Sequence, residues 1–117
     1  MALSSMTHDS VKTYNGSVTG TAIEVTDNSN ALIYSITLLN TTAALAYFQV
    51  FDADSANVTV GTTTPTFVIG VAASGTVHCV FPKPIRFTTG FTIASTTARA
   101  DATGAIQEAT ITYMDAA

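Results

Sequence analysis

The chain has 117 residues, enough for one domain that buries a core unaided, and its single cysteine, Cys79, excludes an intrachain disulfide. Charged residues make up only 10% of it, against the roughly 25% usual in globular domains, while hydrophobic residues reach 47% and net charge is −4. Four basic residues (Lys12, Lys83, Arg86, Arg99) cannot build a phosphate-binding face, and no apolar run approaches the ~20 residues of a spanning helix, so neither nucleic acid nor membrane is an expected partner.

Taken in chain order, the sequence reads as strands joined by turns. MALSSMTHDS has neither a basic region nor an apolar one of the kind that opens a secretory signal. Residues 1–18 are polar and turn-rich and are expected to form an N-terminal arm, with residues 19–117 as the domain; 11–14 also fits a short first strand. TAIEVT (21–26) alternates, with Ile23 and Val25 on one face. DNSN (27–30) is a turn of residues that bond their own backbone. ALIYSITLLN (31–40) places Leu32, Tyr34, Ile36 and Leu38 together by strict alternation. LAYFQVF (45–51) is apolar on both faces, so it is a central strand or its outer face is covered.

VTV (58–60) reads as a short strand and GTTTPT (61–66) as a loop. FVIGV (67–71) aligns Phe67, Ile69 and Val71, and TVHCVF (76–81) aligns Val77, Cys79 and Phe81. In FPKPIRF (81–87), two prolines remove ladder donors, so 81–84 is an edge segment or a crossing between sheets, with Lys83 and Arg86 outward. FTIAST (91–96) is a strand, TARADATG (97–104) a loop, and AIQEATITYM (105–114) a last strand with Ala109, Ile111 and Tyr113 inward. About eight strands with frequent turns and no helical period predict an all-β fold. The expected form is a single antiparallel β-sandwich, jelly-roll or immunoglobulin-like.

Few residues carry recognisable chemistry. His78 and Cys79 are adjacent, but successive strand residues point to opposite faces, so they cannot form a nucleophile–base pair. Asp52-x-Asp54 with Asn57, and Asp27, Asn28 and Asn30, offer oxygen ligands without the EF-hand pattern, and Asx turns explain them as well. Glu24 and Glu108 are the only glutamates, and nothing in the sequence brings them together. No cofactor is expected. The 22 threonines give a weakly charged surface that suits permanent assembly, although a monomer with a Thr-covered β surface has the same composition.

A strand ending in Phe, then KPIRF, a Gly turn and FTIAST (81–96) resembles a segment of small β-sandwich virion proteins of tailed bacteriophages. ITLLNTTAALAYFQVFDA (36–53) is similar to the same group, and the resemblance spans about residues 31–114. It implies a non-enzymatic capsid decoration (cement) protein, made in the host cytoplasm and bound outside the shell. The major capsid protein and further copies of the chain would be its partners. No catalytic residues come with the resemblance. Lys12, Tyr14, Tyr47, Phe51, Lys83 and Arg86 are the candidate protein contacts. Alternatives are a tail, baseplate or fibre component, or a carbohydrate-binding module with Tyr14, Tyr34, Tyr47 and Phe51 as its platform.

Overall fold

Alternating β-branched and aromatic residues, interrupted by Gly, Asn, Asp and Pro, give strands in the computed structural model, which describes residues 11–26 and 30–115. The strands are β1 (Lys12–Val18), β2 (Ile23–Thr26), β3 (Ala31–Asn40), β4 (Ala46–Phe51), β5 (Phe67–Val71), β6 (Thr76–Phe87), β7 (Phe91–Thr96) and β8 (Gln107–Asp115). One 3-10 turn, Ser55–Asn57, interrupts the β4–β5 connection.

The pairing follows one rule. β1 pairs with β8, β2 with β7, β3 with β6 and β4 with β5, all antiparallel, as in a long hairpin folded at the β4–β5 connection. Rolling that hairpin adds β3–β8 and β4–β7 and closes two four-stranded sheets. Their orders are β1-β8-β3-β6 (sheet A) and β2-β7-β4-β5 (sheet B). This is the jelly-roll order, which resolves the choice left open between jelly-roll and immunoglobulin-like sandwiches.

Between the sheets lie Val18, Ile33, Ile36, Leu38, Phe48, Val50, Phe87, Phe91, Ile93 and Ile111, all essentially inaccessible. Phe87 anchors one end: its ring lies 4.8 Å from Phe91 and 6.4 Å, edge-on, from Phe67. Such contacts add about 0.5–1.5 kcal/mol each to the area they bury. A polar layer sits towards the other end, where Gln107 Nε2 donates to Ser95 Oγ and Asn40 Nδ2 to the carbonyls of Ala44 and Val71.

Sheet B is also covered on its outside. Gln49, Phe51, Thr92, Ala94 and Thr96 point away from the core, yet all are buried. Thr92 Oγ1 donates to the Ala53 carbonyl and Gln49 Nε2 to the Asp101 carbonyl. A Cβ on Gly61 would lie 3.0 Å from Ala102 Cβ, so the 52–66 and 97–104 segments meet over this face.

Three expectations change and one open choice is settled. Lys12–Val18, assigned to the arm, form an edge strand paired along its whole length, with Val18 in the core. The rest of that arm, residues 1–10, lies outside the described residues. In β3, the register shifts between Ile33 and Ser35 against both neighbours. Tyr34 is therefore a bulge, and Ile33 rather than Leu32 or Tyr34 shares the inner face with Ile36 and Leu38. Residues 58–60 form no strand; they belong to the cover over sheet B. Of the two readings of 81–84, the edge segment holds: β6, the edge strand of sheet A, runs on to Phe87, and Thr88–Gly90 makes the crossing.

Candidate functional site

The proline-rich stretch is the most irregular part of a sheet edge. Ile33 pairs with Ile85 and Ser35 with Val80, so Phe81–Pro84 bulge out opposite the single residue Tyr34. Pro82 and Pro84 lack the N–H groups that a ladder would require, which is why the bulge falls there. Phe81 packs back on the core while Lys83 and Arg86 face solvent. Arg86 Nη1 lies 3.4 Å from Asn30 Oδ1, a weak contact.

The crossing that follows is held by Asp52. Its carboxylate accepts the backbone N–H of Thr88 (3.1 Å), Thr89 (2.9 Å) and Gly90 (3.4 Å), and the Thr88 hydroxyl at 3.2 Å. Burial pushes the carboxyl pKa up, but these hydrogen bonds outweigh it and hold it below the ordinary value. Gly90 is required here: a Cβ would lie 2.8 Å from Asp54 Oδ1 and 3.0 Å from the Ala53 carbonyl. Asp52 is thus committed to the 88–90 turn, a long-range contact rather than a local Asx turn, while Asp54 Oδ1 is buried with no hydrogen-bond partner among the described residues. Among the described residues no three His, Cys, Asp or Glu side chains gather in a metal-binding group. Of the second acidic turn, Asp27 and Asn28 lie outside the described residues.

The outer face of sheet A is the broadest open surface. The register sets its side chains in rows: Ser17, Glu108, Leu39 and Thr76; then Asn15, Thr110, Thr37 and His78; then Thr13, Thr112, Ser35 and Val80. Hydrogen bonds run along the rows. Ser17 donates to Glu108, Thr110 Oγ1 donates to Asn15 Oδ1 at 3.1 Å, and Thr37 Oγ1 is hydrogen-bonded with His78 Nδ1. Within these rows Glu108 is the only carboxylate, and Leu39 (42% exposed) and Val80 (62%) are open to solvent. Sequence alternation located these positions but could not show that they align into one lattice.

The six candidate contacts do not form one site. Lys12 pairs with Asp115 at 2.7 Å at the edge of sheet A. Burial raises the Asp115 pKa, but hydrogen bonds from Lys12 and Thr26 and the Lys12 charge bring it below its usual value. Tyr14 turns towards the core side of β1; partial burial, and then the Glu108 charge, raise its pKa. Tyr47 is half-buried on the outer face of sheet B, its ring beside Gly70. Phe51 is only 1% exposed, which removes it as a contact: alternation places it outward, but the loop cover buries it. The four aromatics proposed as a sugar platform are therefore dispersed.

Other pairs are separated too. His78 points outward to Thr37, while Cys79 is half-buried on the opposite face of the strand. Glu24 lies in sheet B and accepts the Ser55 N–H, and Glu108 lies in sheet A, so the two glutamates do not meet.

No family model and no curated protein matches this chain. Solved structures do. A protein of the Bacillus endospore appendages, described as a family of disulfide-linked pili, is 17% identical with a TM-score of 0.52, over 92% of this chain and 89% of its own. A chain of the cyanophage Pam1 capsid asymmetric unit is 20% identical, TM-score 0.44, over 92% and 86%. The Tobacco streak virus coat protein is 13% identical, TM-score 0.45, over 94% and 88%. At these identities the likeness concerns the fold alone.

Proposed function

We propose that this chain is a non-enzymatic structural protein of a virus particle, a phage capsid decoration protein that binds the outside of the assembled shell. The observation that carries the reading is the outer face of sheet A. It is wide and internally hydrogen-bonded, with apolar side chains set among threonines and few charges, Glu108 and Arg86. Such a face loses little conformational entropy on docking, and few charges need desolvation. Interface cores have this composition, whereas a face that only meets water usually carries more Lys and Glu. The segment resemblance to phage virion sandwiches supports the same role, and the jelly roll is a fold used by capsid proteins.

The partner is the major capsid protein. Binding the assembled shell but not its free subunits stabilises the particle by RT ln(1 + [L]/Kd) per site. The test is co-sedimentation of the purified protein with assembled shells, followed by heating. Saturable binding and a higher shell melting temperature are expected, both weakened at least tenfold in affinity by Leu39→Lys. Binding unaffected by Leu39→Lys and Thr110→Lys would move the contact off this face. No binding to shells at any concentration would refute the role.

A further inference from the structure

We propose that β5 is a self-association edge: Phe67–Val71 pairs antiparallel with β5 of a second copy, joining two B sheets into one. The four sheet edges are not equivalent. β6 bulges at its prolines and carries Lys83 and Arg86. β2 has four residues and a register shift, with the Glu24 carboxylate engaged by Ser55. β1 is polar and ends at the Lys12–Asp115 ion pair. β5 is uncharged, free of proline and apolar throughout, and among the described residues no strand lies on its far side. Natural edges of this kind are ordinarily blunted by charge, proline or a bulge; this one has none of the three.

The hydrogen-bond phase fixes which groups are open. Val50 accepts from Thr66 N and pairs directly with Phe67, so Phe67, Ile69 and Val71 direct their backbone groups to β4. Val68 and Gly70 direct theirs outward. Antiparallel pairing centred on Ile69 sets Ile69 against Ile69 of the second copy and Phe67 against its Val71. All the open groups then engage, and an aromatic meets a β-branched residue on the core side. On the other side Val68 faces Gly70 of the second copy, which leaves room beside the Tyr47 ring.

Charge favours an identical partner. Residues 55–82 contain no Asp, Glu, Lys or Arg, so the net −4 of each copy lies elsewhere. The antiparallel arrangement also places Lys83 and Arg86 of one copy beside the uncharged Thr76–Val80 end of the other. The two A faces then point the same way. A double platform of this kind would suit the proposed shell contact, but the pairing itself rests only on the edge.

The test uses the full chain, by sedimentation velocity over rising concentration with amide exchange on the same samples. A monomer–dimer equilibrium is expected, with exchange at Val68 and Gly70 slowing at least tenfold as dimer forms. Val68→Lys, whose side chain lies outside the core, should remain a folded monomer with fast exchange at Gly70. Asn15→Lys on β1 should leave the dimer intact. A wild-type monomer throughout would overturn the proposal. So would association that leaves Val68 and Gly70 exchange unchanged, or that Asn15→Lys abolishes while Val68→Lys does not. Failure here leaves shell binding free to succeed, and the converse holds, so the two readings fall separately.

Discussion

Replacing Asp52 with Asn tests whether one carboxylate holds the crossing between the sheets. The side chain keeps its shape but loses its charge; its Oδ1 can still accept from the N–H groups of Thr88, Thr89 and Gly90, but the nitrogen that replaces Oδ2 cannot accept from the Thr88 N–H or hydroxyl. Hydrogen bonds to a charged group contribute about 1.5–3 kcal/mol in protected sites. These are solvent-facing and partly replaceable by water, so the total cost is set at about 2 kcal/mol. For a domain of this size that lowers Tm by roughly 6–8 °C.

The pH dependence is the sharper reading. The folded pKa of Asp52 is depressed, so its contribution is complete above the ordinary carboxylate value of 3.8 and is lost as pH falls through the lower folded value. Thermal melts of wild type and Asp52→Asn should therefore differ fully at pH 7 and converge in acid. Equal stability at pH 7, or a gap that persists undiminished in strong acid, would refute the reasoning.

Other perturbations follow from the packing. Phe87→Ala removes the ring that joins Phe67 and Phe91 and should cost about 3–5 kcal/mol in chemical denaturation. Substituting Lys83 and Arg86 together should shift stability by less than about 0.5 kcal/mol, since both are exposed; a large thermal loss would make them structural. Deleting residues 1–18 should abolish cooperative unfolding, because it removes β1 and buried Val18; a truncated chain with a normal melt would contradict the strand assignment. Gly90→Ala should destabilise by about 1–3 kcal/mol as its methyl meets Asp54 and the Ala53 carbonyl.

Where the strand pattern was strong, the sequence was readable. Ile23 and Val25, Phe67 to Val71, Val77 to Phe81 and Ala109 to Tyr113 all face the way their alternation implies. It misled at β3 because Leu32, Ile33 and Tyr34 are all apolar, and alternation cannot locate a bulge among them. β1 read as an arm because KTYNGSV has little to bury: of its residues only Val18 is fully enclosed. Phe51 looked available because its cover comes from loops, which leave no period in the sequence. Asp52 read as half of an acidic pair, since the amides it holds lie 36 to 38 residues further on. The candidate contacts were legible as residue types, but the lattice on sheet A exists only once β1, β8, β3 and β6 lie side by side.

The most direct measurement is cryo-electron microscopy of purified particles that carry this protein. The account predicts density for the jelly roll on the outer surface of the head, on the order of hundreds of copies in symmetric positions, with sheet A towards the shell. Density confined to the tail, with none on the head surface, would contradict it.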